Sequence, residues 1–156
     1  MMCWMRRWAR ASSLAALLLA AACAQRAPRV ATVQGPVANL EADVAAARAT
    51  VNAFFAQEAR QTTAADTLLA AGADFTMTGI RVTARPRLAG FNGPGEVAVE
   101  EASAAVAGEF AWVELSYRFA GRTPDLSERA RATVILEKQR AGWRIRHVHS
   151  SMVERW

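Results

Sequence analysis

Beyond Cys23 the sequence contains no cysteine, and the only other one is Cys3. Any domain folded from the later residues therefore has no disulfide and no cysteine metal site. The uncharged run from Ala11 to Ala24 falls short of the roughly 20 apolar residues that a membrane-spanning helix needs. After the first ten residues Lys and Arg form no cluster beyond short pairs, so nucleic-acid binding is a poor fit. Chemistry-bearing side chains are also few. There is one tyrosine, Tyr117, and the two histidines, His147 and His149, stand close together near the C-terminal end. No internal repeat or low-complexity segment is visible.

What is present at the start reads as an address. Arg6, Arg7 and Arg10 precede an apolar run containing Leu14, Leu17, Leu18 and Leu19, the layout of a secretory signal. The run ends Leu19-Ala20-Ala21-Ala22-Cys23, which resembles a bacterial lipobox, although Ala20 stands where leucine is preferred. On this reading residues 1–22 are a lipoprotein signal peptide and Cys23 carries the lipid. Residues 23–38 are a tether and residues 39–156 the folded domain. The three arginines lost account for much of the formal charge of +5. Acyl chains on Cys23 would hold the domain at a membrane, each buried CH₂ contributing about 0.8 kcal/mol. Ala24 follows the cysteine where aspartate would favour inner-membrane retention. The expected location is thus the cell envelope, at the outer membrane and facing the periplasm.

The domain itself divides into helices followed by strands. Asn39 can cap a helix, with Glu41 and Asp43 in its first turn. Leu40, Val44, Ala47, Val51 and Phe54/Phe55 form one apolar stripe to about Arg60. Thr63-Ala64-Ala65-Asp66 has capping-box spacing, and Gly72 would end the short helix that follows. From Asp74 the pattern is that of strands: a hairpin through 75–78 and 81–83, then segments near 96–107, 110–120, 128–139 and 142–153. Ala111, Val113, Leu115, Tyr117 and Phe119 make one apolar face, opposite Trp112, Glu114, Ser116 and Arg118. The expected class is α+β, a long helix lying on the apolar face of a curved antiparallel sheet.

The last strand, Gly142 to Ser151, is the most informative. Strict alternation puts Trp143, Ile145, His147, His149 and Ser151 on one face and Arg144, Arg146, Val148 and Ser150 on the other.

This motif, Gly142-Trp143-Arg144-Ile145-Arg146-His147-Val148-His149-Ser150-Ser151, together with the helix–helix–meander order, resembles SnoaL-like domains of the nuclear transport factor 2-like superfamily, α+β cones. The resemblance spans about residues 38–153. It implies a pocket between helix and sheet lined by Phe54, Phe55, Phe75, Met77, Tyr117, Trp143, His147 and His149. Many relatives place a third helix before the long strands. Leu88 to Gly95 is too short and glycine-rich for one, so a loop through Phe91 and Asn92 covers the mouth of the cone, or leaves it open. The ketosteroid isomerases among the relatives use a carboxylate base and a tyrosine donor, which do not match this sequence residue by residue.

The histidines carry three readings. They shape a pocket wall by hydrogen bonding, act as an acid–base pair near neutral pH, or ligate a metal with help from Asp74 or Asp66. The last needs three or four ligands that the spacing does not supply, so no metal and no cofactor is expected. The preferred function is a membrane-anchored domain binding a small, largely apolar ligand. The alternatives are a cyclase, isomerase or hydratase using His147 and His149, and a non-catalytic structural or assembly module; none of these readings settles whether the protein is an enzyme. On the outer face of the sheet, Trp112, Ile135, Val148 and Met152, rimmed by Arg118, Arg144 and Arg146, would suit a homodimer.

Overall fold

The computed structural model describes residues 37–121 and 127–153. The expected signal segment, Cys23, the expected tether up to residue 36, the expected turn at Pro124 and Trp156 lie outside the described residues. Helix α1, Val37–Ala59, starts two residues before the expected cap. Glu41 and Asp43 are thereby moved beyond its first turn, and Asp43 instead meets Lys138 Nζ at 2.7 Å. Its buried stripe is Ala47, Val51, Phe54, Phe55, Glu58 and Ala59, at helical spacing.

The second helix is one short 3-10 segment, Thr63–Leu68, without a side-chain cap bond at Thr62. It does not run to Gly72. Leu69 already opens strand β1, Leu69–Met77, and Gly72, at φ +72°, lies inside it, where the register with its neighbour shifts. The capping-box reading of Asp66 is corrected as well, because its carboxylate is taken by Arg85 and Arg87.

The other strands are β2 (Ile80–Val82), β3 (Gly95–Ala107), β4 (Phe110–Gly121), β5 (Ser127–Gln139) and β6 (Gly142–Met152). They form one sheet in the order β2-β1-β6-β5-β4-β3. Strands β3 to β6 are the expected antiparallel meander, but β1 pairs with β6 in parallel, so the sheet is mixed rather than antiparallel. Helix α1 covers the face bearing Ala111, Val113, Leu115, Tyr117 and Phe119 on β4 and Ala130, Ala132, Val134 and Leu136 on β5.

Two bulges break the alternation. In β3 the pairing skips Glu100, and in β6 it skips Arg146, because Ile135 faces His147 while Leu136 faces Ile145. One extra residue moves every later side chain to the opposite face. Trp143 and Ile145 therefore point to the helix, and after the bulge Val148 and Ser150 do so, all at most 3 % exposed. His147, His149 and Ser151 point outward. The expectation that the histidines share the helix-facing side with Trp143 is wrong for this reason. Val148 in turn belongs to the core and not to a dimer face. Met152, opposite buried Ala130, lies at the end of the inner face beside Gly90.

Candidate functional site

The cone interior is built from rings. Phe54 stacks with Phe75, Phe54 and Phe55 meet edge to face, Phe55 meets Tyr117 at 5.1 Å, and Phe91 lies between Tyr117 and Phe119. Of the eight residues expected to line a pocket, Phe54, Phe55, Phe75, Tyr117 and Trp143 are buried in this one core, and Met77 packs at its margin. His147 and His149 are not among them.

The mouth is covered. Between β2 and β3 the chain has no helix or strand, and Arg87, Leu88, Ala89 and Phe91 turn inward. The main chain of Ala89 is satisfied by the sheet. Tyr117 Oη donates to its carbonyl at 2.8 Å, and its N–H donates to Ser150 Oγ at 3.0 Å. Burial pushes the Tyr117 phenol up, so it acts here as a neutral donor.

Charged groups fasten this segment to the helices. Arg87 bonds buried Glu58 and, at 2.9 Å, Asp66, while its guanidinium lies over the rings of Phe75 and Phe54. Arg85 reaches the same two carboxylates, Glu58 at 3.1 Å and Asp66 at 2.7 Å. Glu58 Oε2 and Arg87 Nε are buried without a hydrogen-bond partner among the described residues. The hydrogen bond from Arg85 holds the Asp66 carboxyl below its usual range. Its stabilising contribution is accordingly present above an unfolded value of about 3.9 and lost as pH falls through the lowered one. These residues carry a readable signal. Glu58 interrupts the apolar stripe of α1 four residues after Phe54, and Arg85 and Arg87 flank Pro86.

The histidines form a separate site on the outer face. Asp74 stands opposite His147 in the parallel pairing, and Nδ1 lies 2.8 Å from Asp74 Oδ1. That hydrogen bond holds the Asp74 carboxyl low. Asp74, named above only as a possible third metal ligand, is thus a fixed partner of His147. Among the described residues no three ligating side chains converge as a metal site would need. His149 borders an open groove of about 550 Å³ with Glu101, Ser103, Glu114, Arg131 and Thr133. Both imidazoles lie outside the cone, so they are not an acid–base pair within it.

The model of the SnoaL-like domain matches residues 44–154. The chain belongs to this family. Solved structures agree on the fold of the domain. A nuclear transport factor 2-like protein with a cystatin-like fold from Novosphingobium aromaticivorans is 11% identical, with a TM-score of 0.62 over 76% of this chain and 86% of that one. A candidate dehydratase of the same superfamily from Streptomyces avermitilis is 14% identical, with a TM-score of 0.60 over 74% and 99%. A candidate ketosteroid isomerase from Shewanella frigidimarina is 23% identical, with a TM-score of 0.55 over 68% and 94%. No curated protein matches the chain. The SnoaL-like family is therefore defined by fold and core, while its activity has to be argued from the site.

Proposed function

We propose that this SnoaL-like protein is a lipid-anchored domain of the bacterial envelope whose cone receives a small, largely apolar ligand. The observation that carries this reading is the composition of the concave face. Phe75 and Phe119 on the sheet are buried in one core with Phe54 and Phe55 of α1 and with Tyr117, whose Oη, like Ser150 Oγ, is turned to the buried Ala89 main chain. An apolar wall with a few fixed polar groups is what small-molecule sites have in common. Native mass spectrometry of the protein extracted from its own membranes tests the reading. The expected result is an added small-molecule mass on the folded domain, and a bare domain from every preparation overturns it.

The same spectra report the oligomer, which we propose to be a dimer formed through the outer face. Trp112 and Ile135 are exposed neighbours there. Glu101 and Glu114 lie on β3 and β4, whereas Arg131 and His149 lie on β5 and β6. A two-fold axis along the β4–β5 seam would set Trp112 of one protomer on Ile135 of its partner and oppose the acids to the bases. A monomer alone would refute this arrangement.

For the address, Cys23→Ser is expected to move the protein from the membrane fraction to the soluble envelope fraction, read by fractionation and immunoblotting. Persistence in the membrane would remove the lipid anchor from the proposal.

A further inference from the structure

We infer that Leu88–Phe91 is an intramolecular occupant of the cone, held shut by the arginine–carboxylate clamp, and that the ligand it yields to is an apolar molecule carrying an acylated amino-acid unit, –NH–CHR–C(=O)–. The inference rests on the reading that the cone binds a ligand. Its starting point is how the Ala89 peptide is held. Its carbonyl and N–H are bound by two side chains from different strands, Tyr117 on β4 and Ser150 on β6, and not by a strand or helix neighbour. The N–H belongs to the Leu88–Ala89 amide and the carbonyl to the Ala89–Gly90 amide, so a sheet that offers an acceptor to the one and a donor to the other has the complement of an –NH–CHR–C(=O)– unit. Leu88 and Phe91 flank that unit with apolar bulk, both buried, and Phe91 stacks on Phe119 at 4.3 Å. The segment is thus recognised as a ligand would be, by hydrogen bonds at its centre and apolar contacts on either side.

The way it is fastened allows release. From residue 83 to residue 94 the chain belongs to no helix or strand, so opening breaks no ladder of the sheet. Connections of this length in compact domains are commonly lids or binding loops. Gly90, in the left-handed region at φ +81°, gives the turn at its end. The outer arm of the clamp, Asp66, has a side chain 45 % exposed, and Arg85 is one-quarter exposed. Water can therefore compete for this arm without entering the core, and local opening of that kind takes less free energy than global unfolding.

Hydrogen exchange on the intact chain tests the inference, with wild type compared with Arg85→Gln. The amides of residues 87–91 are expected to exchange well before those of β4 and β5. In Arg85→Gln they are expected to exchange roughly tenfold faster, with β4 and β5 much less affected, because hydrogen bonds to both carboxylates are lost. Two probes test this unit: a capped peptide, N-acetyl-leucyl-phenylalanine amide, which carries it, and N-hexyloctanamide, whose single amide lacks it. The peptide, and not the simple amide, is expected to accelerate exchange at 88–91 while slowing it in the cone wall, the reverse of ordinary protection. If 87–91 exchange only together with β4 and β5 in both proteins, the segment is plain core and the inference fails, while ligand binding is still judged by the native spectra. If the segment opens but the peptide does not alter its exchange, or the simple amide acts equally, the assignment of the amino-acid unit falls; if the native spectra are also bare, the cone-binding reading falls with it.

Discussion

Replacing Val148 with asparagine is expected to cost about 3–5 kcal/mol, whereas the same change at His149 should cost no more than about 0.5 kcal/mol. Val148 is fully buried between β1 and β5. The substitution loses the transfer free energy of a valine, about 1.5–3 kcal/mol, and buries an amide without partners, about 1–3 kcal/mol more. Against a total stability of about 5–15 kcal/mol that is a large fraction. His149 lies exposed at the rim of an open groove, where substitutions are usually nearly neutral. Urea unfolding followed by circular dichroism measures both. Had the alternation of β6 run unbroken through Arg146, the two positions would exchange their costs, so the opposite ranking would refute the bulge and the assignment of faces.

Glu58→Ala should destabilise the domain by about 3–5 kcal/mol, because it leaves Arg87 buried against rings with its inner partner gone. Asp66→Ala, at the exposed end of the same cluster, should cost only about 0–1 kcal/mol. The physical argument makes a further demand. A buried ion pair is expensive to half-remove but cheap to replace whole, so Glu58→Met combined with Arg87→Met should recover most of the loss of Glu58→Ala. Thermal and urea melts of the three variants and wild type decide it. A Glu58→Ala protein as stable as wild type would mean that the clamp does not hold the segment. A double variant no better than Glu58→Ala would mean that the pair is needed for the shape of the mouth.

The aromatic core was legible because it follows simple periods. Phe54 and Phe55 continue the helical stripe of Ala47 and Val51, and Tyr117 and Phe119 continue the alternation of Ala111, Val113 and Leu115. Each position depends on its own element, and period 3.6 or 2 is enough to place it. The clamp was not legible in that way. Glu58 looks like a polar interruption of α1 until Arg85 and Arg87, 27 and 29 residues later, are folded over it. The loop reading of Leu88–Gly95 did hold a true clue, since the absence of a third helix left the mouth to be covered by Phe91.

By itself, the sequence determined the family, the order of elements and the buried face of β4 and of α1 from Ala47 onward, though not at Leu40. Only the tertiary structure decided where the histidines work. The alternation of β6 is correct from Trp143 to Ile145 and fails beyond, because β5 pairs across Arg146 as if it were absent. Nothing local in Arg144-Ile145-Arg146-His147 marks that skip. It arises from fitting β6 between β5 on one side and the parallel β1 on the other, where Asp74 meets His147. One residue of register, set by two neighbouring strands, moves both imidazoles from the cone to the outer face.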